Sequence, residues 1–287
     1  MPADKLILLS HDIRASFLKL AKAQGERKGG YSVYVDLTKT DANLPARLYC
    51  GGIHNGINKI DFVDVAHLGL SGVRRIAKTI FGDLHHTRIA RIDWCIDLAD
   101  LSVLELALYC RVARAQNCGF ERSRTGITFY LRRSKQSVLL IYDRLGRLRS
   151  IRDPLAQYYS KDDRLTRVEV QLKGRGLPFR RFRDVERYSE HDLLPDISFW
   201  KLGRKREGLT TTDALAAEGL LRTISEYGLQ ATSKMYTAQT WAYLRAKYLV
   251  PASQSSFPNL NELMRQSVRA WLEGPIRFPR LGREVAL

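Results

Sequence analysis

The sequence predicts an α+β fold, in which a central, mostly antiparallel sheet is backed by helices and followed by a helical C-terminal region. The first indication is a set of short segments rich in β-branched and aromatic residues and bounded by Gly, Ser, Asp or Lys. The second is that strand and helix patterns alternate early in the chain and then give way to consecutive strands. The third is the change to helical apolar spacing from about Leu209 onward.

The first 120 residues contain alternating strand and helix patterns. Strands are predicted at Lys5–Leu9, Tyr31–Leu37, Arg47–Cys50 and Ile89–Asp97. Helices are predicted at Ile13–Gln24, Val63–Ile80 and Leu101–Gln116, and Gly51–Asn58 is predicted to be a loop. Ser102 is a plausible N-cap for the last of these helices, and Gly119 marks its end.

The stretch from Thr125 to Lys173 contains three further predicted strands with polar, reactive faces. They cover Gly126–Ser134, Ser137–Arg144 and Arg167–Lys173. Since side chains alternate across a strand, each strand has one apolar and one polar face. The polar faces carry Thr128, Tyr130 and Arg132 on the first strand, Tyr142 on the second, and Arg167, Glu169, Gln171 and Lys173 on the third. A tyrosine, a carboxylate and several arginines on one sheet suggest chemistry on phosphate.

The C-terminal third is predicted to be helical. Three amphipathic runs cover Thr212–Gly228, Ser233–Val250 and Asn259–Leu272. The basic segment Gly203–Gly208 separates them from the strands, which predicts a sheet-based domain over 1–203 and a helical region over 209–287. The helical region is expected to recognise duplex DNA or to mediate self-association, or else simply to complete the packing of the fold.

The charge of the chain indicates a polyanionic partner. The net charge is +17, and residues 121–183 hold 17 Lys/Arg against 6 Asp/Glu. Because these cations lie among predicted strands and not in a terminal tail, we expect a structured nucleic-acid surface. Arg132, Arg133, Lys135 and Arg144 are expected to meet phosphates, although a solvated basic face would show the same composition.

Neither a signal peptide nor a membrane span is predicted, so the protein is expected to be cytoplasmic. The four cysteines are too few and too scattered to predict a disulfide framework or a zinc site.

Three carboxylates, Asp93, Asp97 and Glu169, lie on polar faces of predicted strands. Carboxylates from different strands can converge on a hard cation such as Mg²⁺ or Mn²⁺, which would polarise a phosphodiester. The alternative is that each carboxylate faces solvent or pairs with one of the many arginines.

Tyr142 is the candidate nucleophile. A tyrosine that attacks phosphorus forms a covalent phosphotyrosine and releases the other side of the cut strand. Tyr130 on the neighbouring strand is the rival, and either residue could instead be an ordinary sheet tyrosine.

Four segments, in this order, resemble the motifs of rolling-circle replication initiators of the Rep_trans type, which occur on plasmids and some phages. The segments are Arg91–Asp97, Gly126–Ser134, Leu140–Arg144 and Leu165–Leu172. The first is similar to the family's Arg-hydrophobe-Asp strand, and the second to its strand with a glycine, an aromatic residue and a basic residue before serine. The third is similar to its Ile-Tyr-Asn/Asp-Lys strand, and the fourth to its Arg-hydrophobe-Glu strand. Filamentous-phage replication nickases are similar in two of these strands. The resemblance covers roughly residues 30–200.

The resemblance implies an HUH-nuclease-like architecture, although the sequence has no clear HUH motif. It implies that Tyr142 is the nicking nucleophile, that Asp93 and Glu169 help to hold a Mg²⁺ or Mn²⁺ ion, and that Arg144 takes the position of the family's lysine. Arginine does not readily donate a proton, so any acid role of that lysine would be altered here.

Together these features predict a DNA endonuclease that nicks one strand at an origin, forms a 5′-phosphotyrosine link and leaves a 3′-hydroxyl for rolling-circle replication. Its DNA is expected to be single-stranded or an extruded hairpin, bound partly by Tyr130, Arg167 and Lys173. A host helicase and a homodimer are possible partners. The alternatives are a relaxase or transposase with the same chemistry, or a non-catalytic basic DNA-binding protein.

Overall fold

The computed structural model describes residues 3–41, 43–52, 55–63, 65–104, 106, 110–112, 117–123, 126–194, 197–199, 201–204, 208–252 and 259–274. Within them the predicted α+β class is confirmed, because a large antiparallel sheet is accompanied by helices and the C-terminal part is largely helical.

Fourteen strands are described. They are β1 (Ala3–Ser10), β2 (Glu26–Lys28), β3 (Tyr31–Asp36), β4 (Ala46–Gly52), β5 (Asn58–Phe62), β6 (Arg88–Ala99), β7 (Cys110–Val112), β8 (Asn117–Ser123), β9 (Gly126–Ser134), β10 (Ser137–Asp143), β11 (Leu165–Lys173), β12 (Ile197–Phe199), β13 (Lys201–Arg204) and β14 (Leu249–Ala252). Ten of them form one sheet in the order β2-β3-β4-β5-β1-β6-β11-β10-β9-β8, and β7 with β12 and β13 with β14 form two small pairs.

Seven α-helices are described, together with short 3-10 turns. The helices are α1 (Ala15–Gln24), α2 (Val65–Phe81), α3 (Arg144–Ser150), α4 (Thr211–Tyr227), α5 (Leu229–Lys234), α6 (Ala238–Tyr248) and α7 (Leu260–Glu273). Gly69 interrupts α2 with a φ of 59°, a conformation that glycine adopts without steric cost.

The chain divides into two compact units. The first consists of Met1–Ile96, Val170–Leu193 and Asn261–Leu287. Its core is aromatic: the Trp94 ring lies 5.4 Å from that of Trp271 and 5.7 Å from that of Tyr188, measured between ring centroids. The Trp271 indole N–H donates to the Val65 carbonyl at 2.9 Å, which ties α7 to the start of α2.

The second unit consists of Asp97–Glu169 and Leu194–Leu260. In it, Phe129, Leu131 and Ile141 form the buried face of β9 and β10. A separate apolar cluster joins α4, α5 and α6; its buried members are Ala217, Leu220, Ile224, Leu229, Trp241, Tyr248 and Leu249.

Several local predictions differ from the structure. The helix predicted over Leu101–Gln116 is wrong at Cys110–Val112, which forms a strand, while residues 105, 107–109 and 113–116 lie outside the described residues. The predicted loop over Gly51–Asn58 is wrong at Gly51 and Gly52, which belong to β4, and at Asn58, where β5 begins. The helix predicted over Ser233–Val250 is divided, because α5 ends at Lys234 and α6 begins at Ala238.

The boundary predicted at Gly203–Gly208 includes residues 205–207, which lie outside the described residues. Among the residues that the structure does describe, no helix has the length and apolar character needed to cross a bilayer.

Candidate active site

A buried hydrogen bond joins the predicted nucleophile to the predicted carboxylate of the neighbouring strand. Tyr142 is on β10 and Glu169 is on β11, and these strands are adjacent in the sheet. The Tyr142 hydroxyl donates to Oε2 of Glu169 at 2.9 Å. Only 4% of Tyr142 and 3% of Glu169 is exposed. A carboxylate held at this distance from a phenol is placed to accept its proton.

A second tyrosine–glutamate pair lies on the two strands at the end of the sheet. The Tyr130 hydroxyl, on β9, donates to Oε2 of Glu121, on β8, at 2.7 Å. This hydrogen bond, together with partial burial, raises the pKa of Tyr130. With 36% of its surface exposed, Tyr130 is far more accessible than Tyr142.

Both tyrosines line one small cavity of about 200 Å³. The register of β9 and β10 explains this, since Tyr142 lies opposite Thr128 and Leu140 lies opposite Tyr130, which places all four on one face. The cavity is lined by Glu121, Ser123, Thr128, Tyr130, Leu140, Tyr142, Asp143 and Arg147. Its wall therefore combines hydroxyls and carboxylates with a guanidinium group.

Helix α3 supplies that guanidinium group. The Asp143 carboxylate accepts a hydrogen bond from the Gly146 amide at 2.8 Å and so caps the helix directly after β10. One turn into the helix, the guanidinium carbon of Arg147 lies 5.3 Å from the centroid of the Tyr142 ring. This is within cation–π range, so Arg147 places positive charge beside the phenol.

Arg144, the cation predicted to assist catalysis, occupies the first position of α3 and is buried. It is not among the described residues that line the cavity, whereas Arg147 is. Sequence reasoning missed Arg147 because it missed α3. The available signal was Asp143, a residue type that often caps helices, followed by apolar Leu145 and Leu148 at helical spacing.

A larger cavity of about 470 Å³ shares Asp143 with the small one. Its charged lining consists of three cations and three carboxylates: Arg149, Lys161, Arg164, Asp143, Asp162 and Asp163. Apolar residues, including Leu101 and Leu165, complete the wall. The mixture suits a ligand with both an apolar ring and charged or polar groups.

Asp97 and Arg167 form a bidentate ion pair in the second unit. The Arg167 Nε donates to Oδ1 of Asp97 at 2.6 Å and its terminal nitrogen donates to Oδ2 at 2.7 Å. Burial alone would raise the pKa of the Asp97 carboxyl, but the hydrogen bonds and charge of Arg167 bring that pKa down from 3.8 to about 2. Arg167, a predicted DNA contact, is instead fully buried in this pair.

Asp93 is engaged in a similar way in the first unit. Arg91 donates from Nε to Oδ1 of Asp93 at 2.9 Å and from its terminal nitrogen to Oδ2 at 2.5 Å. Both residues are on β6, two positions apart, which places them on one face of the strand.

The two aspartate–arginine pairs involve two of the three carboxylates that were predicted to bind a cation. Asp93 and Asp97 each accept hydrogen bonds from a guanidinium group through both carboxylate oxygens. In the part of the chain that the structure describes, no group of three or more Asp, Glu, His or Cys side chains is placed to hold a metal ion. The role of Asp93, Asp97 and Glu169 in holding a Mg²⁺ or Mn²⁺ ion stays a prediction.

The remaining predicted DNA contacts lie on the surface. Arg132 on β9, Lys135 in the turn before β10 and Lys173 at the end of β11 are exposed. The side chain of Arg133 lies outside the described residues.

No family model matches the chain, and no curated protein matches it in sequence.

Proposed function

We propose that the protein is a DNA nickase that starts rolling-circle replication, with Tyr142 as its nucleophile and with strand-joining activity. The observation that carries this proposal is the 2.9 Å hydrogen bond to Glu169 from the hydroxyl of Tyr142, which lines a polar cavity. A weak nucleophile paired with a base is the arrangement that covalent catalysis requires.

In the nicking step, Glu169 accepts the hydroxyl proton while the Tyr142 oxygen attacks the scissile phosphorus. The bond between phosphorus and the 3′ oxygen breaks. The 5′ side of the strand remains on Tyr142 as a phosphotyrosine, and the 3′ oxygen takes a proton from water and leaves as a hydroxyl. Joining is the reverse reaction, in which a 3′-hydroxyl attacks the phosphotyrosine and Tyr142 regains its proton.

The surroundings of Tyr142 support this role. Arg147 is placed to stabilise negative charge on the phenol oxygen or on the phosphate during attack. The larger cavity next to Asp143 offers space for a nucleotide that flanks the scissile bond. The net charge of +17 favours a nucleic-acid substrate over a small neutral one.

The direct test is a search for a covalent DNA adduct. The full-length protein is incubated with supercoiled DNA and with end-labelled single-stranded DNA of random sequence, with and without Mn²⁺. A denaturing gel then reveals DNA-linked protein, and mass spectrometry locates the modified residue. We expect a 5′-linked adduct on Tyr142. If DNA is bound but no adduct forms with or without the cation, the protein is a non-catalytic DNA-binding protein.

Replacing Glu169 with Gln is expected to slow adduct formation by about 10²- to 10⁴-fold, the usual contribution of a positioned general base. Glutamine keeps the size of the side chain and can still accept the hydrogen bond from Tyr142, but it cannot take up the proton. Single-turnover adduct formation measures the rate. Glu121→Gln is the matched control, since Glu121 makes the equivalent bond to Tyr130. Equal loss in both variants would contradict the assignment of Glu169 as the base.

A further inference from the structure

A pair of short helices in the second unit is joined by a tight turn. Helix α5 ends at Lys234, α6 begins at Ala238, and only Met235, Tyr236 and Thr237 lie between them. The Thr237 hydroxyl caps α6 by accepting a hydrogen bond from the Thr240 amide at 3.1 Å. A turn of this length between two helices is one feature of the helix-turn-helix motif.

A supporting helix and a shared core hold this pair in place. Leu229 of α5 and Trp241 of α6 pack into one cluster with Leu220 and Ile224 of α4. Asp213, in the first turn of α4, accepts a hydrogen bond from the Tyr248 hydroxyl at 3.0 Å and lies 2.8 Å from the Lys247 ammonium nitrogen. One side of α6 is thus fixed against the core, and its orientation follows from that packing.

The opposite side of α6 presents polar and aromatic groups to solvent. All residues from 234 to 240 are exposed, including the turn and the first positions of α6. Further along the helix, 57% of Tyr243 is exposed. Gln239 and Thr240 are near the N-terminal end of α6, the part of a recognition helix that meets base edges. A glutamine can form two hydrogen bonds to adenine in the major groove.

The charge of this segment fits a duplex and does not favour a second copy of the chain. Residues 228–252 contain three cations, Lys234, Arg245 and Lys247, and no Asp or Glu. Cations that flank a recognition helix are suited to the phosphates on either side of the groove. The segment carries no carboxylate that could pair with the cations of a second copy.

We propose that α4, α5 and α6 form a helix-turn-helix unit that reads duplex DNA, with α6 in the major groove. Gln239 and Tyr243 contact base edges, while Lys234 and Arg245 contact phosphates. This activity is independent of the nicking chemistry, so it does not require Tyr142 or Glu169. Through this unit the protein binds a specific duplex sequence, in addition to nicking one strand.

The test is a selection from random duplex DNA with the full-length protein, followed by fluorescence anisotropy with the enriched duplex. We expect enrichment of a short defined site. Gln239→Ala is expected to weaken binding to that site by about tenfold and to relax its preference at one base pair. Tyr243→Ala is expected to weaken binding by a similar factor. Both residues are exposed, so neither change should affect the thermal unfolding midpoint.

Tyr158→Ala is the matched control, because Tyr158 is 58% exposed and lies outside the three helices. It should bind the enriched duplex as the unchanged protein does. Three results would overturn the proposal: no enriched duplex site, an enriched site insensitive to Gln239→Ala and Tyr243→Ala, or self-association that is lost in Tyr243→Ala while duplex binding is unchanged. The last result would identify α6 as an interface between copies.

Discussion

Tyr142→Phe is expected to abolish the covalent protein–DNA adduct. Phenylalanine keeps the ring on β10 but removes the only atom that could bond to phosphorus, so no residual rate is expected from this position. The measurement is the denaturing-gel assay with end-labelled DNA, at protein concentrations where DNA is saturated. Binding of the DNA itself should be nearly unchanged, because the phosphate contacts come from other side chains such as Arg132 and Lys135.

Tyr130→Phe is the matched control, since it also removes a hydroxyl that donates to a glutamate and lines the same cavity. It should retain adduct formation. Loss of the adduct in Tyr130→Phe alone would keep the chemistry and transfer the nucleophile to the more exposed tyrosine. Because Tyr142→Phe leaves a buried carboxylate without one of its donors, the thermal unfolding midpoint of each variant should be measured beside the assay.

The sequence was sufficient to predict strands and the faces that their residues share. The strands β6, β9, β10 and β11 were predicted to within a few residues, because each alternates apolar and polar side chains over a sufficient length. The same alternation correctly placed Tyr130 beside Thr128 on one face. Local periodicity carries this information without knowledge of the neighbouring strands.

The partners of the site residues could not be predicted in the same way. Tyr142 meets Glu169 because β10 lies next to β11, and Tyr130 meets Glu121 because β9 lies next to β8. Strand order is a property of the whole sheet, and no local pattern specifies it. Glu121 was missed altogether, since no strand was predicted at the position of β8.

The turn between α5 and α6 could not be predicted from the sequence either. The apolar spacing from Ser233 to Val250 reads as one continuous helix, and no proline or glycine marks the break. The turn is instead set by tertiary contacts. The Tyr236 ring stacks on that of Trp241 with 6.3 Å between their centroids, and Thr237 caps the next helix. Such a break depends on tertiary contacts, which cannot be predicted from the sequence of one segment.

Arg167→Met is expected to lower the free energy of unfolding by about 3 kcal/mol at pH 7, the lower end of the usual cost of removing one partner from a buried ion pair. The lower end applies because 21% of the Asp97 side chain remains exposed to solvent. Denaturant unfolding followed by tryptophan fluorescence and by circular dichroism measures the change. Arg132→Met, which removes an exposed arginine from β9, should change stability by less than about 0.5 kcal/mol.

The pH dependence of this effect has a definite sign. The pKa of Asp97 is depressed from 3.8 to about 2, and the hydrogen bonds and charge of Arg167 are the largest causes that lower it, so the pair stabilises the folded state above about pH 4 and loses that contribution as the pH falls toward 2. The difference in stability between the unchanged protein and Arg167→Met should therefore narrow as the pH falls toward 2, and the narrowing should begin above pH 4, because burial raises the pKa of Asp97 once Arg167 is removed. A difference that is independent of pH down to 2 would show that Arg167 stabilises the protein by packing alone.

The double variant Asp97→Leu/Arg167→Met separates charge pairing from a role in DNA binding. Replacing both members of a buried pair with apolar side chains is often neutral or stabilising, so much of the stability lost in Arg167→Met should return. If Arg167 serves only to hold Asp97, the double variant should also bind single-stranded DNA as tightly as the unchanged protein. A loss of DNA affinity that persists in the stable double variant would instead show that the pair opens and that Arg167 reaches a phosphate, as the sequence alone predicts.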